Sequence, residues 1–453
     1  MVAALSVSAQ DVKRARPAGW ENIVEGGRFM DRFEPSPLIG EPTSACWGGE
    51  NVKPRDVLNG IEEKDWSYWG GNIVKEGDTY HLFVARWRED SPKGHMQWPW
   101  SEVVHAVSNR PDGGFKVMEV LGRGHNPEAF RCKDGSWNVY CIVPGREAAR
   151  VYHAPTLNGP WEPLKRMGLD LNGFKMIEGE SNFSFCSRAD GSVLAVCRGG
   201  GIWLSPDGIA PFKMIHDRVY PKVKGRFEDP VLWHDRVQYH LIVNDWLGRV
   251  AWYLTSPDGL DWQTMPGEAY TPGIAKYRDA EGKVRLNDWY KYERLKVLQD
   301  EYGRVIQANF AVIDILKWND KSNDIHSSKN ITIPVNPGRL AKAVAVGEKE
   351  VTVTIAAERD FAPAKDLDQT SIILGTQNDV AFGKGVKVKS AKNQPNGDVA
   401  LTFDLPENRE TVMKLFGKET SGRIFFATFR LDGQTLYFIF SLLNAPFWAY
   451  FTV

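Results

Sequence analysis

Short apolar runs alternate with polar turn residues along the first 318 residues of the chain. The segment Gly225–Val243 shows the pattern: Pro230–Trp233 and Val237–Val243 are apolar, and a polar turn separates them. Runs of this length, bounded by turn residues, predict β-strands paired in hairpins. Two acids, Glu228 and Asp229, stand immediately before the first run, where a buried strand by itself gives no reason for paired carboxylates.

One hairpin outline occurs four times between residues 105 and 262. Each copy is a strand, then a turn that contains Asp or Asn followed directly by Gly, and then an aromatic residue. Such dipeptides are typical of tight hairpin turns. The turn residues lie 46, 49 and 51 positions apart and are Asp112, Asn158, Asp207 and Asp258.

A second column of five hairpins interleaves with the first. Each unit of roughly fifty residues therefore holds four antiparallel strands, and such units in series are typical of a β-propeller. Five starts predict five blades. A β-helix would have a shorter repeat, and a β-sandwich would not keep two interleaved columns. The starts, with a register defined to about one residue, are Trp69, His125, Glu180, Glu228 and Glu293.

The predicted fold class is therefore all-β, with a five-bladed β-propeller followed by a C-terminal β-sandwich. We expect residues 11–318 to form the propeller, of which 11–60 are a lead-in segment. Residues 319–330 are polar and aperiodic, which predicts a linker. Short alternating strands follow, and they predict a sandwich over residues 331–453.

The two ends of the chain carry apolar segments. Residues 1–10 resemble the tail of a secretion signal, which predicts export to the periplasm or the extracellular medium; an ordinary frayed terminus is the alternative. The apolar run 436–453 is interrupted by Asn444 and Pro446, so we expect two buried strands there rather than a membrane span.

Composition narrows the classes of function. Lys and Arg number 56 and Asp and Glu 57, and without a basic block there is no electrostatic argument for nucleic-acid binding. Sixteen of the 17 Trp residues precede residue 319, so aromatic faces concentrate in the predicted propeller. The five Cys residues form no CxxC motif, and we expect buried free thiols rather than a disulfide.

The first strand of each propeller blade lines the central channel, so the five starts meet at one mouth of that channel. Carboxylates brought together repel each other and their pKa values separate, which suits an acid and a base in one reaction. The alternative is that these acids satisfy backbone amides or pair with Arg226 and Arg294. The residues next to the starts are also polar, and they are Asn126, Glu128, Glu178, Asp229 and Arg294.

Aromatic residues crowd the same segments and could stack on a sugar ring, although any one of them could equally be a core residue. We expect a carbohydrate ligand on this basis. Arg294, and more weakly Arg86, Arg198 and Arg226, would suit an anionic sugar by the fork geometry of the guanidinium group. The predicted substrate-binding residues are Trp69, Glu178, Asn126, Arg294, Trp246 and Tyr292.

Several motifs resemble five-bladed propeller glycoside hydrolases of families 43 and 117. "APTLNGPW" (residues 154–161) is similar to an outer-hairpin turn of family 43, and "IEGES" (177–181) to the segment around that family's general-acid Glu. The "SPDG" turns are also similar to the Asp-box of sialidases, which have six blades. Family 43 begins its first blade with Asp-Pro, whose Asp is the general base, but this chain has "YWGGN" there and "EDP" at 228–230. The motif therefore does not transfer the base.

The resemblance implies a glycoside hydrolase, exo-acting on an oligosaccharide from a plant or algal polysaccharide. It makes Glu180 the general acid, and Glu228 or Glu293 the base or nucleophile. We expect Asp229 to tune their pKa values and His125 to donate a proton, bind a hydroxyl, or hold an axial metal ion or water.

Two other classes remain open at this point: a non-catalytic carbohydrate-binding propeller, and a polysaccharide lyase that acts on a uronate-containing glycan. No cofactor is required by the prediction, although an axial structural cation is compatible with it. The protein is expected to be a monomer or small homo-oligomer.

Overall fold

The computed structural model describes residues 12–43, 55–145, 148–175, 180–235, 238–346, 349–404, 423–431 and 434–442. The chain is all-β, as predicted, and the described helices are three to seven residues long. They comprise 3-10 turns at Trp20–Asn22, Phe29–Arg32 and Gly94–Trp100 and α-helical turns at Pro363–Asp366 and Gln377–Ala381.

Five antiparallel sheets follow one another between residues 66 and 334 of the described chain. In each sheet the strands lie in sequence order from the first strand outward, as expected for hairpins in series. The first sheet has strands Trp66–Glu76, Thr79–Arg88, Glu102–Ser108 and Lys116–Arg123; the second has His125–Arg131, Trp137–Ile142, Ala149–Ala154 and Lys165–Arg166.

The third sheet gains an outer strand, Leu169–Asp170, which pairs in parallel with its fourth strand, and the fifth sheet has three strands. The remaining strands are Ser184–Ser187, Val193–Val196, Ile202–Ser205 and Phe212–His216 in the third sheet, Phe227–His234, Tyr239–Asp245, Val250–Ser256 and Gln263–Tyr270 in the fourth, and Lys291–Gln299, Val305–Ile313 and Ser328–Pro334 in the fifth.

The five first strands form a closed ring around a central axis. Each contacts the first strands of the sheets before and after it, and the fifth returns to the first. Apolar side chains pack between consecutive sheets, which explains why the strands are apolar on both faces. One residue from each of these five packed clusters is Phe83, Phe130, Leu241, Phe310 and Leu82.

A buried polar layer links the first strands across the axis. Lys296 of the fifth sheet forms an ion pair with Glu128 of the second, and its Nζ donates to Ser184 Oγ of the third at 3.1 Å. Ser184 Oγ in turn donates to Glu128 Oε1 at 3.0 Å and accepts from the Leu232 amide of the fourth sheet at 3.0 Å. Four of the five sheets are thus joined by charge-assisted hydrogen bonds on the axis.

The "SPDG" turns have the tight geometry that their sequence predicts. Asp207 Oδ1 accepts from the backbone amides of Ile209 and Ala210 at 2.8 and 2.7 Å. Asp258 Oδ1 makes the equivalent pair with Leu260 and Asp261. The described cysteines, Cys132, Cys141, Cys186 and Cys197, are buried free thiols, as predicted.

The lead-in segment packs against the outside of the ring instead of forming a layer of its own. Arg14 donates to Asp245 in the fourth sheet (Nη2 to Oδ1, 3.1 Å), and Phe29 packs on Trp233 of the same sheet. Two small sheets complete it, one of Ser36–Pro37, Lys276–Arg278 and Val284–Leu286, the other of Pro42–Thr43 and Arg55–Asp56.

The region after the fifth sheet differs from the sequence prediction. Residues 319–330 were expected to be a linker, but the strand Ser328–Pro334 pairs with Val305–Ile313 and belongs to the fifth sheet. The described strands beyond it form one antiparallel seven-stranded arrangement, in which Val386–Asn393 pairs with Val399–Asp404 on one side and with Ile373–Gly375 on the other. In spatial order these strands are Ala341–Val346, Glu350–Ile355, Val399–Asp404, Val386–Asn393, Ile373–Gly375, Arg423–Leu431 and Gln434–Leu442.

The apolar C-terminal run begins inside the last strand, Gln434–Leu442, and its remainder, 443–453, lies outside the described residues. Within the described part of the chain, no helix has the length and apolar character needed to cross a membrane.

The axial ion pair gives a first test. Lys296→Met leaves the Glu128 carboxylate buried without its cation, and we expect the free energy of unfolding to fall by about 3–5 kcal/mol. Chemical denaturation monitored by circular dichroism measures the loss. Glu128→Gln in the same chain removes the stranded charge and should recover part of the stability. Equal stability of Lys296→Met and the native protein would contradict this role.

Candidate active site

A residue with a left-handed backbone conformation lies in or just before each first strand of the ring; in the third sheet it is Asn182, two residues before the strand, and in the first sheet Gly71 also has a positive φ. The φ values are 66° at Gly70, 53° at Asn126, 49° at Asn182, 55° at Asp229 and 52° at Arg294. In the first, second, fourth and fifth sheets, the pairing register between first and second strands shifts at this point. These four sheets therefore share a β-bulge, which re-aims the neighbouring side chains, whereas the pairing of the first two strands of the third sheet is regular.

The residue before each left-handed residue is the sequence-predicted start in four of the five sheets: Trp69, His125, Glu228 and Glu293. In the third sheet this position is Ser181, so Glu180 lies one residue before the ring position assigned to it. Glu180 sits in a half-buried bend beside Ser181, whose carbonyl accepts from the Arg198 amide at 2.9 Å. Glu178 lies outside the described residues.

Asparagine side chains connect the second, third and fourth sheets at the level of the bulge. Asn126 Nδ2 donates to Asn182 Oδ1 at 3.1 Å, and Asn182 Nδ2 donates to Glu228 Oε1 at 3.0 Å. Asn tolerates the left-handed region better than most residues, so it can hold the bulge and keep its amide for the chain of hydrogen bonds. This chain fixes the position of the Glu228 carboxyl.

Arg294 is enclosed on the axis by the bulges of three other sheets. Its Nη1 donates to Asp229 Oδ1 at 3.1 Å and its Nη2 to the Asn126 carbonyl at 3.3 Å, while its Cβ and Cγ lie 3.6 Å from where a Cβ on Gly70 would stand. Only 1% of Arg294 is exposed. The structure therefore places Arg294 as the partner of a ring acid, which was the alternative to its predicted sugar-binding role.

Glu228 combines a perturbed carboxyl with contact to solvent. Its side chain is 20% exposed, and Oε1 lies 3.1 Å from Arg198 Nη1. Burial, followed by the nearby carboxylates of Asp229 and Glu293, raises the pKa of Glu228 to about 7, against the opposing charges of Arg198 and Lys317. Asp229 thus contributes to the raised pKa of Glu228.

Glu293 has a cation of its own. Lys317 forms an ion pair with the Glu293 carboxylate, and its Nζ lies 4.8 Å from the ring centroid of Trp69. Trp69 also packs edge-on against His95 at 4.6 Å between centroids. Sequence reasoning missed Lys317, because this residue lies beyond the repeated hairpins; its one signal is "LKW" (316–318), shortly after the second strand of the fifth sheet.

His125 is a buried neighbour of the mouth. Its Nδ1 is 3.0 Å from Ser101 Oγ, and its ring packs on Trp98 at 5.0 Å between centroids. Burial, with the positive charges of Arg294 and Lys317, lowers the pKa of His125 well below its ordinary value. A neutral imidazole at this place suits hydrogen bonding to a hydroxyl group.

The three predicted aromatic platforms occupy different places. Trp69 is 2% exposed and forms part of the wall beside Glu293. Tyr292 packs on Phe310 in the core between the fourth and fifth sheets, and its hydroxyl donates to Asp288. Trp246 is half-buried at the rim, where Lys291 Nζ lies 5.1 Å from its ring centroid. Trp246 is therefore the most accessible of the three.

The mouth of the ring thus brings together a carboxyl with a pKa near 7 and a carboxylate held by a lysine. Such a pair can donate a proton and supply a base or nucleophile in one reaction. Among the described residues, no three His, Cys, Asp or Glu side chains converge in a manner that could hold a metal ion.

Neither a protein-family model nor a curated protein sequence matches the chain. Solved structures similar to it include the catalytic domain of a Coprinopsis cinerea family 62 alpha-L-arabinofuranosidase, at 13% identity over 67% of this chain and 99% of that chain, with a TM-score of 0.43. A family 117 glycoside hydrolase from the marine bacterium Zobellia galactanivorans is similar at 12% identity, covering 62% and 89%, with a TM-score of 0.41.

A family 43 beta-1,3-galactosidase with galactodeoxynojirimycin is similar at 12% identity, covering 62% of this chain and 92% of that chain, with a TM-score of 0.39. Families 43 and 117, which the sequence motifs resemble, are thus both represented among the similar structures.

The raised pKa of Glu228 has a consequence for stability. The folded protein holds this proton up to a pH of about 7, whereas an unfolded Glu releases it near 4.5. The stabilising contribution is therefore complete below pH 4.5 and is lost as the pH rises towards 7. Glu228→Gln stays neutral at every pH, so we expect its melting temperature to rise relative to that of the native protein as the pH increases from 4.5 to about 7.

Calorimetry of both proteins between pH 4 and 8 measures the difference. Glu76→Gln is the matched control, because Glu76 is exposed at the far end of the first strand of the first sheet. A difference between Glu228→Gln and native protein that does not change with pH would show that Glu228 titrates normally.

Proposed function

We propose that the protein is a glycoside hydrolase and that its five sheets are the blades of a five-bladed β-propeller. The active site in this proposal is the mouth of the ring around Glu228 and Glu293. The observation that carries the proposal is the presence at one mouth of Glu228, whose pKa burial and like charge raise to about 7, and of Glu293, which is ion-paired with Lys317. Two carboxyl groups in different states are what glycosidic hydrolysis requires.

Glu228 takes the part of the general acid and protonates the leaving oxygen. Its pKa near 7 keeps the proton available at neutral pH, and the hydrogen bond from Asn182 holds the carboxyl in place. Glu293, which is ion-paired with Lys317, takes the part of base or nucleophile. This assignment differs from the roles expected from the sequence, in which Glu180 was the acid and Glu228 or Glu293 the base or nucleophile. Glu228 now replaces Glu180 as the acid.

The proposed action is exo. Below the two acids the axis is filled by the buried Arg294–Asp229 pair and the Asn126–Asn182 hydrogen bond, and deeper by the Lys296–Glu128 pair. A glycan chain can therefore enter from one side only, which suits removal of a terminal sugar from a plant or algal oligosaccharide.

The test is a screen of the purified protein against acidic and neutral oligosaccharides from plants and algae. We expect new reducing ends without ultraviolet-absorbing products, and a fall in kcat of at least about 10²-fold in Glu228→Gln and in Glu293→Gln. The rate of the native protein should decline above a pH of about 7, as Glu228 loses its proton.

Glu76→Gln serves as the control and should cleave at the native rate. Cleavage that survives both ring substitutions but is lost in Glu180→Gln would return the acid to Glu180. An ultraviolet-absorbing product would identify a lyase. Saturable binding without cleavage of any glycan would identify a carbohydrate-binding propeller.

A further inference from the structure

A cavity of about 790 Å³ lies between the N-terminal segment Val12–Arg16 and the outer strands of the fourth sheet. Two indole rings contribute to its wall: Trp20 and Trp252 pack with their centroids 5.2 Å apart and their planes inclined by 52°. Trp252 is 4% exposed, and its indole N–H is buried without a hydrogen-bond partner among the described residues. This volume is in the range of small-molecule sites, and a buried N–H without an acceptor indicates a place for a polar ligand.

Positive charge dominates the lining of this N-terminal cavity. Lys13, Arg14, Arg16 and Arg249 line it, against the single carboxylate of Glu268. Arg16 pairs with Glu268, yet 67% of its side chain remains exposed. Lys13 is exposed and has no ion pair with the described residues. The cavity can therefore supply donors to an anion after its internal pair is satisfied.

The N-terminal cavity lies beside the mouth of the ring. Arg14 donates to Asp245, and Asp245 pairs with Phe227 across the first two strands of the fourth sheet. Phe227 immediately precedes Glu228. Because paired strands lie about 4.8 Å apart, the segment that carries Lys13 and Arg14 stands close to the rim next to the proposed acid.

We propose that the N-terminal cavity binds a uronic acid residue of a glycan whose terminal sugar occupies the mouth. The Trp20 face stacks on the apolar face of the pyranose, and the Trp252 N–H donates to a ring hydroxyl. Arg16 and Lys13 bind the carboxylate, Arg16 through its planar fork. The inference rests on the proposed function only for the identity of the sugar in the mouth; the cavity binds its uronate whether or not cleavage follows.

The probe is trigalacturonic acid, with neutral galactotriose of the same length for comparison. Both are titrated by calorimetry into full-length Glu228→Gln protein, which does not consume them. We expect trigalacturonate to bind more tightly, with an affinity that falls as salt rises. Adding Arg16→Ala should weaken its binding at least about tenfold, the loss expected for one charge-assisted hydrogen bond, and adding Trp20→Ala should weaken it through the loss of the stacking face.

Lys13→Ala is a second variant at an exposed position and should weaken trigalacturonate without changing the melting temperature. Lys213→Ala removes an exposed lysine on the fourth strand of the third sheet and should leave the affinity unchanged. Equal affinity in Glu228→Gln with and without Arg16→Ala and Lys13→Ala would overturn the inference, and so would equal binding of galactotriose. Tighter binding of a sulfated tetrasaccharide than of trigalacturonate would overturn the assignment to a uronate.

Cleavage by the native protein separates this inference from the proposed function. Binding that depends on Arg16 and Lys13, without cleavage of any glycan, supports the cavity and rejects the hydrolase. Cleavage lost in Glu228→Gln, together with trigalacturonate binding that ignores Arg16 and Lys13, supports the hydrolase and rejects the cavity.

Discussion

The left-handed residue in or just before each first strand is the constraint on which the mouth depends. An L-residue in this conformation costs roughly 1–2 kcal/mol, and Gly70 is the one position of the five where glycine removes the cost. The other four are held by their side chains: Asn126 and Asn182 by each other, and Asp229 and Arg294 by a buried ion pair. The side-chain contacts of these four residues therefore offset the cost of their left-handed backbone conformation.

The axis is built in layers, and each layer pairs an acidic with a basic side chain. Asp229 and Arg294 neutralise each other at the bulge, and Glu128 and Lys296 do so one layer deeper. Burial lowers the pKa of Lys296 to about 8, while Glu128 opposes the change, so the deeper layer depends on the geometry of this pair. Glu228, above both layers, is influenced by two carboxylates and two cations, and burial decides the balance in favour of its protonated form. The buried ion pairs thus lie on the axis, and Glu228, the carboxyl with the raised pKa, lies at the rim.

The ring of first strands was predictable because its signals are local. Turn residues such as Asp207 and Asp258 mark each hairpin, and the spacing of the hairpins gives their number. Four of the five ring positions follow from the same repeat. The third was displaced by one residue, because Glu180 stands where an acid was expected and the register is marked by the left-handed backbone conformation of Asn182, which the sequence does not display.

What the sequence could not predict are contacts between residues far apart in the chain. Lys317 meets Glu293 because the segment after the fifth sheet's second strand folds back over the mouth, and Arg14 meets Asp245 because the lead-in segment crosses to the fourth sheet. Neither cation belongs to a repeat. The strand Ser328–Pro334 was not predicted for the same reason, because its polar residues contact partners that are distant in the sequence. Ser328 contacts His95, Lys329 pairs with Glu62 and Asn330 donates to the Gly70 carbonyl.

This division between repeated and unrepeated residues has a chemical meaning. Five equivalent strand starts can present five side chains to one mouth, but symmetry alone would give them similar environments and similar pKa values. Two features break that equivalence: Lys317, from outside the repeat, pairs with Glu293, whereas burial raises the pKa of Glu228 against the charge of Arg198 3.1 Å away. Because an acid and a base must differ in protonation at the same pH, unequal burial and the unrepeated Lys317 are what distinguish the two carboxyl groups in an otherwise symmetric ring.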